Sequence, residues 1–299
     1  MFFELYWQYF VIGLILYMVA RGGYVLYNKQ EEKYEQKMLK KDDDYKSSYD
    51  LNSFMSSSSS SSSAEEEDED GDLSPALPKN LNHVQLKFEK MPVGTSIKKS
   101  QEFFSLMDKR RTVRHFSNEP VPIEIIHNII RTAGTAPSGA HTEPWTYVVV
   151  GSQEIKQQIR EIVENEEETN YKKRMGKVWT TDLKPLKTNW LKQYLTDAPY
   201  LILVFKQLYS FKEDGKKKLH YYNEQSVSLA SGILLAAIHY AGLVSLTSTP
   251  LNCGPALRAL LQRPSSEKLT LLIPVGYPAD DCLVPDLKRK PLEEILVEI

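Results

Sequence analysis

The sequence predicts an α+β fold, a three-layer α-β-α domain over residues 95–299, preceded by an N-terminal transmembrane helix and a polar tether. Three observations predict it. Helix-period and strand-like apolar runs alternate through 95–299. The strand-like runs are apolar on both faces, which calls for helices on each side of the sheet. Ahead of that region the composition is first almost purely apolar and then densely charged. With 41% hydrophobic and 25% charged residues the whole chain is ordinary for a globular protein, and its net charge of −2 gives no bias toward nucleic acid.

Residues 5–20 carry no charge, and Tyr24, Val25, Leu26 and Tyr27 prolong the apolar character past Arg21. A bilayer span takes about 20 apolar residues, so 1–27 suffices as an anchor if Arg21 snorkels. Tyr6, Trp7, Tyr9 and Phe10 at one end, with Tyr24 and Tyr27 at the other, resemble interfacial aromatic belts. A cleaved signal peptide is the alternative; it lacks its basic leader, because only Glu4 precedes the run. Arg21, Lys29, Lys33, Lys37, Lys40 and Lys41 all follow the span, which places the bulk of the chain in the cytosol. Residues 28–94 read as a disordered acidic and Ser-rich tether. They include an unbroken serine run over 56–63 and the block Glu65-Glu66-Glu67-Asp68-Glu69-Asp70, which cannot bury enough apolar surface to offset chain entropy.

Within the folded region, 100–109 reads as a helix. Residues 123–133 form a second, with Ile126, Ile129, Ile130 and Ala133 at helical spacing after Pro120-Val121-Pro122. A strand is expected at 146–150, a long charged helix at 153–175, an amphipathic stretch at 188–195 and an apolar strand at 200–205. A helix over 224–241 with a wide apolar face ends at Gly242, and strands follow at 243–247 and 269–275. Cys253 and Cys282 are too few for a disulfide framework and have no zinc-ligand spacing, so both are read as reduced, packing thiols.

Four features carry candidate chemistry. Arg110, Arg111 and Arg114, with Thr112 and Val113 between them, put three guanidiniums within five residues. They suit either an anionic cofactor or a solvated basic helix end. The loop with Pro137, Ser138, Gly139 and Ala140 is small enough for its amides to approach a flat ligand, or it is an ordinary connection. Thr247, Ser248 and Thr249 at a strand end present three hydroxyls to a cofactor heteroatom or to their own turn. Glu167 and Tyr171, four apart on one helix face, could join Lys192 to complement an amino-acid zwitterion; the alternative is surface charge. His141 and Glu143 lack a visible third ligand, so no metal is expected. No serine-hydrolase elbow, zinc-protease motif, Walker loop or dinucleotide-binding glycine motif occurs. That absence, with the arginines retained, favours a mononucleotide such as FMN.

The run KRRTVR over 109–114 resembles the flavin-phosphate signature of the nitroreductase superfamily, and RTAGTAPSGAHTEPWTYVVV over 131–150 resembles its second block. The wording of that block, together with NYKKRMG from 170, TNWLKQYLTDAP from 188, TPLNCGPALRALLQRP from 249, LLIPVGYP and VPDLKRKPL, is similar to the iodotyrosine deiodinase branch. The resemblance implies a nitroreductase-like domain with FMN at a homodimer interface and reductive removal of iodide from mono- and diiodotyrosine. It further implies NADPH-derived electrons delivered by a separate reductase. A general FMN-dependent nitro or quinone reductase and a non-enzymatic halotyrosine-binding protein are the alternatives.

Carried over by position, Arg110, Arg111, Thr112, Val113, Arg114 and Arg289 would hold the FMN phosphate and polar edge. Pro137, Ser138 and Gly139 would line the flavin. Thr247, Ser248 and Thr249 would sit at its ring, with Thr247 donating to N5 as the catalytic hydroxyl. Ala140 would offer its N–H to the substrate phenolate, and Glu167, Tyr171 and Lys192 would clamp the zwitterion under a closing lid. Ser248 stands where the family pattern leads one to expect Thr, and Thr112 where it has Ser; both keep the hydroxyl.

Overall fold

A computed structural model describes Pro75, residues 77–212 and residues 215–299. The expected membrane anchor and most of the tether lie outside these residues. Among the described helices none is long and apolar enough to cross a membrane.

Residues 77–92 run without regular structure and are exposed. Helix α1 (Val93–Asp108) follows, then α2 (Ile123–Ala133) and strand β1 (Trp145–Val150). Helix α3 (Gln153–Thr169) passes directly into a π-helical turn, Asn170–Arg174, and then α4 (Lys177–Leu183) and α5 (Tyr194–Asp197). Strand β2 (Tyr200–Gln207) leads into a hairpin of β3 (Tyr209–Phe211) and β4 (Lys217–Leu219). Helix α6 (Asn223–Tyr240), strand β5 (Val244–Ser245), helix α7 (Gly254–Leu260) and strand β6 (Glu267–Gly276) complete the order. All belong to one compact unit, Ser74–Ile299.

The main sheet has the order β1-β2-β6-β5, and each neighbouring pair is antiparallel. Strand β2 shows why its sequence is uniformly apolar. Leu201, Leu203 and Phe205 face one core with Ile159 and Val163 of α3, Leu195 of α5 and Leu257 of α7. Ile202 and Val204 face the other, with Ile126 and Ile129 of α2 and Val227, Leu234 and Ile238 of α6. Alternation sends successive side chains to opposite faces, and both faces are covered by helices. The expected three layers are therefore present. Strand β6 obeys the same rule around a bulge, with Val204 opposite Leu271 but Phe205 opposite Leu269, leaving Thr270 as the extra residue.

Helix α2 matches its expected span, and α6 differs by one residue at each end. Gly242, at φ 77°, closes α6: its own N–H donates to the His239 carbonyl, and the Leu243 N–H donates to the Ile238 carbonyl. Helix α1 starts seven residues before the expected position 100 and buries no side chain, so no apolar stripe marks its first two turns. The long helix expected over 153–175 stops being α-helical at Thr169. The charged pattern continues through the π turn and does not betray the change of geometry.

Candidate active site

The arginine run lies where α1 ends and the chain joins the sheet. Thr112 forms a parallel bridge with Ser245, and the Val113 N–H donates to the Ser245 carbonyl at 3.1 Å. Buried Val113 points into the core, so its neighbours face outward. Arg110, Arg111, Thr112 and Arg114 line a cavity of about 320 Å³ with Leu186, Pro285, Leu287, Lys288 and Arg289. Five lining residues are cationic and none is a carboxylate. The Arg111 guanidinium donates to the Pro285 carbonyl. Arg289 donates to the Asp108 carbonyl at 2.7 Å, to its carboxylate at 3.0 Å and to the Arg110 carbonyl at 2.7 Å. Arg289 thus pins the C-terminal tail against the end of α1 as well as lining the cavity. Sequence reading does not single out Lys288 or Leu186. Lys288 lies in the quoted VPDLKRKPL run, but a second cation in a basic tail carries no distinguishing signal.

Glu167, Tyr171 and Lys192, the side chains expected to clamp an amino acid, come together near Arg114. The Lys192 ammonium is 3.5 Å from the Glu167 carboxylate and 5.3 Å from the centre of the Tyr171 ring. Glu167 is 8% exposed and Lys192 6%. Such a buried pair is a built feature and not the surface charge that its position in an acidic helix also allowed. The Lys192 N–H donates to the Glu164 carboxylate at 2.6 Å, and its ammonium donates to the Asn189 carbonyl at 2.5 Å. On α3, buried Lys156 anchors the helix to the Ala198 carbonyl at 2.7 Å, fixing the base from which Glu164 and Glu167 project. Burial holds the Lys192 ammonium below the ordinary lysine value, partly opposed by Glu167. Burial and then the Glu167 charge push the Tyr171 phenol up, while a bond with the Thr188 side chain acts the other way. Tyr171 packs edge-on against Trp190, ring centres 6.1 Å apart.

Arg114 links the two groups. It lines the cationic cavity and acts electrostatically on Tyr171, Lys192 and Tyr194. Tyr194, whose phenol burial pushes far up, hydrogen-bonds to Ser248. Ser248 in turn bridges Leu272 through its backbone. Thr247 and Thr249 flank it and are exposed, so Ser248 is turned to the protein and its neighbours to solvent. Arg110, Arg111, Arg114, Arg289, the 247–249 hydroxyls and the Glu167–Tyr171–Lys192 group are therefore one assembly.

The loop 137–140 stands apart from it. The Gly139 N–H reaches Ser226 Oγ in the first turn of α6, and a Cβ at Gly139 would lie 3.2 Å from the Tyr221 carbonyl. Ser138 Oγ accepts from the Glu143 N–H at 3.0 Å. Ala140, His141 and Glu143 all have positive φ, 49°, 54° and 45°. Left-handed non-glycine residues are costly and collect where backbone groups are held for a ligand. The N–H groups of Gly139, His141, Thr142 and Glu143 are bonded within the chain, whereas that of exposed Ala140 has no acceptor among the described residues. The cationic cavity lies at the other end of α6, where His239 bonds the Leu106 carbonyl at 2.9 Å. Eighteen helical residues separate the two ends by about 25 Å. β1, which follows the loop, and β5, which precedes Thr247, are the opposite edges of the sheet.

Several known proteins are similar to this chain. A model of the nitroreductase family matches residues 107–277. Iodotyrosine deiodinase 1 of Homo sapiens is 55% identical over 258 residues, covering 86% of this chain and 85% of that protein. Iodotyrosine deiodinase of Danio rerio is 62% identical over 219 residues, covering 73% of this chain and 74% of its own. Among solved structures, an oxidized iodotyrosine deiodinase bound to FMN and 3-iodo-L-tyrosine superposes with a TM-score of 0.55 at 34% identity, over 63% of this chain and 94% of that one.

Proposed function

The chain belongs to the nitroreductase family, and we propose that it removes iodide reductively from mono- and diiodotyrosine, leaving tyrosine, with FMN as its cofactor. The observation that carries this reading is the buried Glu167–Lys192 pair beside Arg114. A carboxylate, an ammonium and a phenol gathered next to a cationic cavity suit an α-amino acid held against a flavin mononucleotide. A general nitro or quinone reductase needs the cavity but not the pair.

The residues present fit the cofactor. Five cationic side chains without a lining carboxylate suit a phosphate dianion, and exposed Thr247 and Thr249 offer hydroxyls to a ring edge. When bound, the flavin supplies the electrons that convert the carbon–iodine bond to carbon–hydrogen and iodide. The protein's part is binding and orientation. Glu167 takes the substrate ammonium, Lys192 its carboxylate, Tyr171 flanks both, and the N–H of the partner's Ala140 holds the phenolate oxygen. The segment 170–191 closes over the ligand and excludes water.

Thr247 directs the chemistry through its hydroxyl at the ring nitrogen. Because the side chain is exposed, Thr247→Ala should fold and keep FMN. It should lose about 10- to 100-fold in iodide release while nitroarene reduction is retained or rises. Parallel assays of both reactions check this; unchanged deiodination would remove Thr247 from the mechanism.

The site is completed by a second copy. One chain holds the cationic cavity and the 137–140 loop about 25 Å apart at the two ends of α6, further than a mononucleotide reaches. In a twofold dimer the partner's loop meets this chain's cavity. Apolar surface is available for it: α1 buries no side chain, exposed Phe103 and Tyr240 line a groove between α1, α2 and α6, and Phe104 and Leu229 are exposed on α1 and α6. At an FMN concentration that just saturates the wild type, Arg110→Ala and Ala140→Pro homodimers should each lose most activity, because the first loses a phosphate contact and the second the amide. Unfolded and refolded together they should recover roughly a quarter of wild-type activity, one intact site in each mixed dimer. No recovery from dimeric mixtures would place each site within one chain.

Residues 1–27 serve, on this reading, as a single-pass anchor with the catalytic domain in the cytosol, where a separate NADPH-dependent reductase supplies electrons. The flanking lysines after the apolar run support that orientation.

A further inference from the structure

Asn170 occupies the junction where α3 becomes the π turn, and it is 1% exposed. Its side-chain amide is used on every side. The nitrogen donates to Glu167 Oε1 at 3.3 Å and to the Leu251 carbonyl at 3.3 Å. The oxygen accepts from Arg174 at 3.1 Å and from the Asn252 amide at 3.4 Å. The orientation is fixed by chemistry, since a carbonyl only accepts and a guanidinium only donates.

Two consequences follow for Glu167. Its Oε1 is held by a neutral donor while its Oε2 faces the Lys192 ammonium at 3.5 Å. Arg174, whose guanidinium reaches Asn170 and the Glu166 carboxylate at 2.7 Å, makes no bond to Glu167. Asn170 stands between them. A direct Arg174–Glu167 pair would offset the charge that a substrate ammonium needs; an amide orients the carboxylate without neutralising it. The opposite side of the amide grips Leu251 and Asn252, the latter left-handed at φ 63°. These residues close the turn that begins with Thr247, Ser248 and Thr249.

We infer that Asn170 is a positioning residue that aims the Glu167 carboxylate at the substrate ammonium and ties it to the loop behind Thr247. This rests on the amino-acid clamp proposed above. Occupancy of the clamp and placement of the Thr247 hydroxyl are coupled through one buried amide, so the substrate's amino group influences the flavin-edge loop without touching it.

The test compares 3-iodotyrosine with 2-iodophenol, which has no amino-acid group, on the FMN-loaded full chain of wild type, Asn170→Asp and Glu167→Gln. Asn170→Asp keeps the size and both accepted bonds but replaces the donor that serves Glu167 and the Leu251 carbonyl with a carboxylate oxygen of like charge to Glu167. It should retain binding of FMN and of 2-iodophenol, and weaken iodotyrosine binding by about 10- to 100-fold. The ratio of variant to wild-type affinity should rise toward one as pH falls, because a proton taken up between the two carboxylates restores a donor. A purely structural role would move neither the substrate preference nor its pH dependence. Unchanged iodotyrosine affinity in Asn170→Asp, with Glu167→Gln impaired, would overturn the inference and leave the clamp standing. Unchanged affinity in Glu167→Gln would overturn the clamp itself. If Asn170→Asp does not hold FMN, Asn170→Ser decides: a selective loss on iodotyrosine supports positioning, and an equal loss on both ligands refutes it.

Discussion

Glu167→Gln and Lys192→Met should each weaken 3-iodotyrosine binding by roughly 2–4 kcal/mol, about 30- to 1000-fold, because each strips one member from a desolvated charge pair. Binding of 2-iodophenol should be unaffected, since nothing in that ligand meets the pair. Flavin absorbance during ligand titration measures both. The pH dependence has a definite sign. Burial depresses the Lys192 value below 10.5 in the folded chain. Its ammonium is therefore lost, as pH rises, before that of a surface lysine, and iodotyrosine affinity should fall across that window. Folding stability moves the other way. Below the depressed value the buried ammonium costs stability, and the cost is relieved as pH rises through that value toward 10.5. Lys192→Met should flatten the Lys192-dependent part of the affinity loss. Equal sensitivity of iodotyrosine and 2-iodophenol to these substitutions would contradict the clamp.

Arg110→Ala and Arg114→Ala should each raise the FMN dissociation constant about 10- to 100-fold, the usual worth of a charge-assisted bond. Neither side chain makes a hydrogen bond or ion pair with a described residue, so each is available to a phosphate. Arg289→Ala should act differently. Its bonds to Asp108 and Arg110 tie down the tail, so riboflavin binding should suffer as well as FMN binding, whereas the other two variants should weaken FMN and leave riboflavin nearly unchanged. Reconstitution of apoprotein with each flavin separates these cases. Equal losses on both flavins for Arg110→Ala would move the phosphate elsewhere.

The sheet and its covering helices are legible in the sequence because burial leaves periodic marks. Strand β2 has to be apolar throughout to face two cores, and α2 and α6 carry apolar residues at helical spacing. Helix α1 has no such mark over its first turns, since it buries no side chain. The β3–β4 hairpin has three-residue strands with no buried side chain and escapes sequence reading for the same reason. Within the site, the arginine run and the 247–249 hydroxyls can be found by residue type. That Glu167 and Lys192 are buried together cannot, because 25 residues separate them and α3 reads as a solvated acidic helix. Placement of the 137–140 loop at the far end of α6 is likewise a property of packing and not of local sequence. Asn170 opens the quoted NYKKRMG run but carries no chemical signal of its own: a lone asparagine near a helix end ordinarily reads as a helix terminator.

The central claim is that this chain, loaded with FMN and reduced, exchanges iodide for hydrogen on an amino-acid substrate. Anaerobic reduction of the holoprotein with dithionite, removal of excess reductant and addition of diiodotyrosine tests it in one cuvette. The oxidised flavin absorbance should return together with stoichiometric release of iodide. Retention of the reduced flavin spectrum with no iodide, in a protein that demonstrably binds diiodotyrosine, would contradict it.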